Sequence, residues 1–197
     1  MTEHEQRILT KMEHSMYCPL CSLLDDTEFN LMASLQYDVT MRREVREAVA
    51  EEGGFCDYHF RQFRKLASAK TNALLLAAMV ERFARPGMQF VDNCRLCGHL
   101  DEYERQLTEA ITHLLGESSF QARYSDHRGM CNYHLRSVEG LVSDEAIRGW
   151  LAGMNKEQLR RELPFLEELA TNSYYDTSRL ARGSIPRTIE KFVGRRG

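Results

Sequence analysis

Apolar positions along the chain recur at intervals of three and four residues, the spacing that gathers side chains onto one face of a helix. From Thr2 to Met16, Ile8, Leu9 and Met12 fall on one side and predict an opening helix. Past Cys21 the pattern continues through Leu24, Leu31, Met32 and Leu35. Val39, Val45 and Val49 trace a second helix, closed by Gly53-Gly54. The break between these two is expected near Gln36 to Thr40. Further on, Leu115-Gly116 ends one helix, and Ser118 or Ser119 is placed to cap the next. Phe60, Phe63 and Leu66 match Leu135, Val138 and Leu141 as i, i+3, i+6 stripes, and both are read as core. Thr71 to Ala84 reads as a Leu- and Ala-rich helix ended by Pro86-Gly87. Ser143 is read as the cap of a helix through Trp150 to Met154, and Asn155 with Gln158 as a capping-box-like start of another. Pro164 suits a boundary or a first helical turn. No alternating strand pattern of useful length occurs, so the expected fold is all-α.

Onto this helical pattern the cysteines impose a second order. All six fall in four short motifs: Cys18-Pro19-Leu20-Cys21, Cys56-Asp57-Tyr58-His59, Cys94-Arg95-Leu96-Cys97 and Cys131-Asn132-Tyr133-His134. The chain therefore reads CxxC-x34-CxxH and then CxxC-x33-CxxH. Self-similarity at a fixed period indicates one structural unit used twice. Neighbouring residues repeat too. Leu24-Asp25-Asp26 and Glu28 match Leu100-Asp101-Glu102 and Glu104. Gly54, Tyr58, Arg61, Leu66 and Ser68 match Gly129, Tyr133, Arg136, Leu141 and Ser143.

Two ligands three residues apart share one side of a tight turn or of a first helical turn. Two such pairs supply the four nitrogen or sulfur donors that zinc takes in a tetrahedron. Pro19 stiffens its turn by fixing φ, and Gly54 and Gly129 let the chain turn sharply into each closing pair. The expectation is two Cys3His zinc sites per chain, each closed within its own repeat. One would use Cys18, Cys21, Cys56 and His59; the other Cys94, Cys97, Cys131 and His134. A straight helix through the gap would end too far from its start for one shared metal, so each gap must fold back as a hairpin. An iron–sulfur cluster is the alternative occupant. Ser22 and Gly98 follow the CxxC pairs where haem attachment would need histidine. His4, His14, His99, His113 and His127 have no repeat counterpart and are read as surface residues or as support around the ligands. The repeated acids are read the same way, as a solvated face or support beside each metal, because acids suit the first turns of a helix.

Net charge is −3 over 197 residues, which disfavours a general polyanion binder. The charge is uneven. Arg179 to Gly197 carries a net +5 and residues 1–178 a net −8. The tail is read as a solvated end, with a docking arm for an acidic protein or RNA as the functional alternative. The longest apolar run, Ala73 to Val80, is far shorter than a membrane span. No signal-peptide pattern opens the chain, so a cytoplasmic setting is expected.

The chain resembles an uncharacterised group of bacterial proteins with a CPxC near the N-terminus and a GFCxxH about 35 residues later. The resemblance rests on Cys18-Pro19-Leu20-Cys21 and Gly54-Phe55-Cys56-Asp57-Tyr58-His59 and runs across the two repeats, residues 10–145. The second copy departs from it at Arg95 and Met130. It implies bacterial cytoplasmic zinc binding and supplies no activity. The sequence carries no G-x-S-x-G, P-loop or H-E-x-x-H. The expected organisation is a first unit at 1–87, a second at 88–154, and C-terminal helices with the basic tail at 155–197. The expected function is that of a non-enzymatic zinc-binding adaptor, accessory subunit or maturation factor with a protein partner. An iron–sulfur carrier and a nucleic-acid-binding regulator are the alternatives.

Overall fold

The structure is a computed structural model and describes residues 1–15, 17–86, 94–171, 189, 191 and 192. The described residues form ten helices and no strand: α1 Glu3–His14, α2 Pro19–Met41, α3 Arg43–Glu51, α4 Asp57–Leu66, α5 Ala69–Phe83, α6 Arg95–Leu114, α7 Ser118–Asp126, α8 Asn132–Leu141, α9 Glu145–Arg160 and α10 Leu163–Thr171. The all-α expectation holds. The order long, short, ten-residue helix occurs twice, as α2–α3–α4 and as α6–α7–α8. No helix among the described residues is long and apolar enough to cross a membrane.

The chain divides into two compact units. One is Met1–Asp25 with Glu104–Gly197, and the other is Asp26–Tyr103. In the Asp26–Tyr103 unit, Met32, Leu35 and Val39 of α2 pack with Val49 of α3, Phe63 of α4, Leu75 of α5 and Leu96 of α6. Cys94 belongs to this core, and Cys56 and Cys97 pack against it. The other unit buries Ile8 of α1, Leu20 and Leu24 of α2, Leu107 and Ile111 of α6, Phe120 and Tyr124 of α7, Val138 of α8 and Leu151 of α9. Tyr124 also lies against the Trp150 ring, with centroids 5.8 Å apart.

Local chemistry explains most helix ends, and it corrects several expectations. Thr2 caps α1 in a reciprocal capping box with Glu5. The break after α2 falls at Arg42, just past the expected stretch. No glycine or proline stops α2 earlier, and Arg46 of α3 satisfies its last carbonyls by donating to Val39 O at 2.8 Å and Thr40 O at 3.3 Å. Ser118 is the first residue of α7 and not its cap; Glu117 holds the cap position, and Gln121 donates to Leu115 O at the end of α6. Asp144, and not Ser143, caps α9 by accepting from Ala146 N and Ile147 N. Asn155 and Gln158 do not start a helix. Helix α9 runs unbroken through them, and both are buried.

Leu66 and Leu141 are exposed, so the third member of each expected stripe is not core. Six residues turn a helix by about 240°, away from the buried face. The buried positions are Ala67 and Val142, the extended residues that follow the two helices.

Candidate metal centres

Each cysteine motif opens a helix in the same way. The first cysteine lies just before the helix: Cys18 before α2, Cys56 before α4, Cys94 before α6 and Cys131 before α8. Its carbonyl accepts the first intrahelical bond, from Ser22, Phe60, Gly98 and Leu135 respectively, at 2.8–3.1 Å. The fourth residue of each motif therefore sits one turn up, beside the first. This position also favours thiolates, because the helix N-terminus is its electropositive end.

The pairs meet crosswise. Cys18 and Cys21 join Cys131 and His134, while Cys94 and Cys97 join Cys56 and His59. Within each group the ligand atoms all lie within 4.8 Å of one another. The expected closure of each site within its own repeat is thus corrected: the same eight residues form two four-membered groups, each drawn from both repeats. Helix length gives the reason. Helix α2 has 23 residues and rises about 34 Å, while α3 has nine and brings the chain back only about 13 Å. The second copy repeats the mismatch with 20 and nine residues. Neither closing pair returns to its own opening pair. Each group does lie wholly within one compact unit.

The two groups have matching dimensions. In the first, His134 Nδ1 is 3.4, 3.3 and 3.2 Å from the sulfurs of Cys18, Cys21 and Cys131, and Cys21 Sγ is 3.7 Å from Cys131 Sγ. In the second, His59 Nδ1 is 3.4, 3.3 and 3.2 Å from Cys94, Cys97 and Cys56, and Cys56 Sγ is 3.7 Å from Cys97 Sγ. A tetrahedral ion with the usual zinc–ligand distances needs edges of about 3.8 Å between sulfurs and about 3.6 Å between sulfur and nitrogen. The donor atoms are spaced to surround one such ion. The described residues contain no disulfide among the six cysteines.

The protonation pattern is that of crowded thiols. Burial pushes Cys18 up, but hydrogen bonds with Cys131, Cys21 and His134 outweigh it and hold the thiol well below its ordinary value. Burial likewise opposes the fall of Cys94, which His59 and the backbone N–H groups of Cys56 and Cys97 bring down to about 6. The second cysteine of each pair moves the other way. Contacts with Cys131 and Cys18, together with burial, raise Cys21 far above the ordinary thiol value. Burial, then Cys56 and Cys94, push Cys97 up to about 12. In the first group the His134 imidazolium offsets one thiolate, and further thiolates repel each other until a cation enters.

The other imidazole nitrogen of each ligand faces a carboxylate. His134 Nε2 is 3.1 Å from Glu104 Oε1, and His59 Nε2 is 3.6 Å from Glu28 Oε1. At 3.1 Å the Glu104 carboxylate orients the His134 ring and leaves Nδ1 to bind, whereas Glu28 lies beyond hydrogen-bond distance of His59. Glu28 and Glu104 lie in the third turns of α2 and α6, not in the first turns that the dipole argument expects, and stand beside the ligand histidines. Each glutamate faces the histidine of its own repeat, although the cysteine pair on the same helix serves the other one. The repeated Tyr58 and Tyr133 stand edge-on to His59 and His134, with centroids 5.1 and 5.2 Å apart.

Gly54 and Gly129 have φ of 86° and 74°, the left-handed turn expected of them. Several side chains around the Gly129–Cys131 turn escaped the sequence reading. His127 is buried, accepts at Nδ1 from Gly129 N and donates from Nε2 to Ser15 O. Tyr124 Oη accepts from Met130 N, and Gln158 donates to Tyr124 O and His127 O. Lys191 donates to Met130 O and Asn155 Oδ1. His127 has no repeat counterpart to single it out, and the others belong to no motif. His4, His14, His99 and His113 join neither group; His113 pairs with Glu5 at 2.7 Å instead. The basic tail from Arg179 lies outside the described residues, except Ile189, Lys191 and Phe192.

No match was found among curated proteins or among solved structures. Over residues 5–91 the chain is similar to a family described as a family of unknown function, DUF6062, a stretch that takes in Cys18, Cys21, Cys56 and His59 and so half of each four-residue group.

Proposed function

We propose that this chain is a non-enzymatic zinc-stapled helical protein that works by contact with a protein partner, as an adaptor, accessory subunit or maturation factor in a bacterial complex. The observation that carries this reading is the pair of closed donor sets. Three cysteines and one histidine fill a tetrahedron and leave no position for water or substrate, the mark of structural zinc as opposed to catalytic zinc. The 3.7 Å sulfur separations support a single ion, since a cluster of several irons would need a wider cage. Each ion would hold two helix N-termini together, making metal binding part of folding. Contact with a partner is supported by exposed apolar side chains on the Asp26–Tyr103 unit. Phe29, Tyr37 and Met41 fall within about 120° of one another around α2. Leu76 and Val80 lie one turn apart on α5 and are also exposed.

Protein purified without oxygen should be colourless and contain two zinc ions per chain. A brown protein absorbing near 400 nm, with iron and sulfide in place of zinc, would support cluster handling instead. A nucleic-acid role rests only on the basic tail. It would show as salt-sensitive binding to RNA or DNA that deletion of Arg179 to Gly197 abolishes.

A further inference from the structure

The two groups share ligands and dimensions, yet their surroundings differ. In the first group every ligand is buried: Cys18 is 9%, Cys21 4%, Cys131 1% and His134 2% exposed. In the second, His59 and Cys94 are buried, but Cys56 and Cys97 are only half-buried. These two half-buried sulfurs are also the ones 3.7 Å apart.

The turns that carry the closing cysteines are held by different contacts. In the Gly129–Met130 turn the backbone N–H groups donate to Tyr124 Oη and His127 Nδ1, and Lys191 donates to Met130 O. A Cβ on Gly129 would lie 1.9 Å from Gln158 Oε1, so an amide held by two hydrogen bonds is packed directly on this backbone. The Gly53–Gly54 turn is held by backbone bonds to Ala50 O and Val49 O, and the adjacent Glu52 accepts from Arg95 at the surface. Its packing neighbour is the end of the Met79 side chain, 2.6 Å from a Cβ built on Gly54. A thioether on three rotatable bonds yields more readily than a hydrogen-bonded amide.

We propose that the group of Cys56, His59, Cys94 and Cys97 is the exchangeable metal site of the two, and that Cys56 and Cys97 are the thiols oxidised when it opens. This rests on the zinc reading above. The oxidant class is a hydroperoxide, which reaches half-buried thiolates before buried ones. The sulfurs of Cys56 and Cys97 each give up a bond to the metal and together lose two electrons, forming one S–S bond. The O–O bond of the peroxide accepts the electrons and, with two protons from solvent, hydrogen peroxide leaves as two waters. The metal keeps only His59 and Cys94 and dissociates. The sulfurs must approach from 3.7 Å to bonding distance, about 2.05 Å.

The full chain loaded with two zinc ions is treated with hydrogen peroxide. Released zinc is followed with a chromogenic dye, and the products are mapped by native and peptide mass spectrometry. The expected result is loss of one zinc equivalent, formation of one Cys56–Cys97 disulfide, and unmodified Cys18, Cys21 and Cys131 in a chain that keeps its second zinc. A Cys97→Ser chain should start with one zinc and keep it through the same treatment. Release of both equivalents together overturns the proposal, as does earlier modification of Cys18, Cys21 or Cys131. If the serine variant does not fold, disulfide mapping of the unaltered chain decides by itself. A chain that never held zinc would overturn the metal reading itself, whereas two zincs lost in parallel would overturn only the distinction between them.

Discussion

Paired cysteine substitutions separate crosswise closure from closure within each repeat. Cys18→Ser with Cys131→Ser removes two ligands from one group and none from the other. After dialysis against a chelator this chain should retain one zinc. Closure within repeats would leave each site with three ligands, and both metals would be lost. Cys18→Ser with Cys56→Ser inverts the test: the crosswise arrangement predicts that no zinc survives, because each group loses one thiolate. The stability effect follows from unit size. The Asp26–Tyr103 unit has roughly 80 residues, a size at which a hydrophobic core alone supplies about 3–5 kcal/mol. A metal at 1,000 times its Kd adds about 4 kcal/mol to the state that binds it. Cys56→Ser should remove that linkage from this unit, and at about 4–8 °C per kcal/mol its melting should fall by more than about 15 °C. The assays are metal analysis of dialysed protein and melting followed by helix circular dichroism. A Cys18→Ser, Cys131→Ser chain without zinc would refute the pairing, and a Cys56→Ser chain that melts unchanged would refute the coupling of metal to fold.

Glu104→Gln should weaken zinc binding by about 10- to 100-fold, because it loses the partner 3.1 Å from His134 Nε2; Glu28→Gln, from a separation of 3.6 Å, should cost less, as competition against a zinc dye would measure. Gly129→Ala should destabilise by more than about 1 kcal/mol, since φ is 74° and the new Cβ meets Gln158, while Gly98→Ala, at an exposed position of α6 with open space around it, should be neutral or add about 0.5–1 kcal/mol; denaturant midpoints report both. Zinc added to the metal-free chain at pH 7 should release protons, because Cys97, pushed up to about 12, is protonated until the metal binds. Affinity should therefore fall as pH falls, and calorimetry in buffers of different ionisation enthalpy counts the protons. Lys191→Met should lower the melting temperature of the unit holding Cys131, as a hydrogen bond from a charged group is worth about 1.5–3 kcal/mol. An unchanged melting curve would show that this contact with Met130 O is immaterial.

All eight residues of the two groups were legible from spacing alone, because a CxxC or CxxH places its ends on one helical turn wherever that turn lies. The helical fold was legible for the same reason: its 3.6-residue period is local. Glu28 and Glu104 were marked by their repetition, but their place next to His59 and His134 was not. Pairing could not, since either CxxC with either CxxH makes the same donor set. The choice between them lies in how far α2 and α6 run before α3 and α7 turn back, and no glycine or proline marks the end of α2. Asn155 and Gln158 show the same limit from the other side. Their spacing imitates a helix start, but a side chain caps a helix only where backbone donors are unsatisfied, and inside continuous α9 there are none to satisfy. Their amides instead serve Lys191 and the carbonyls of Tyr124 and His127. The unequal exposure of two groups with equal ligands likewise comes from what distant segments pack over each turn, information that no local spacing contains.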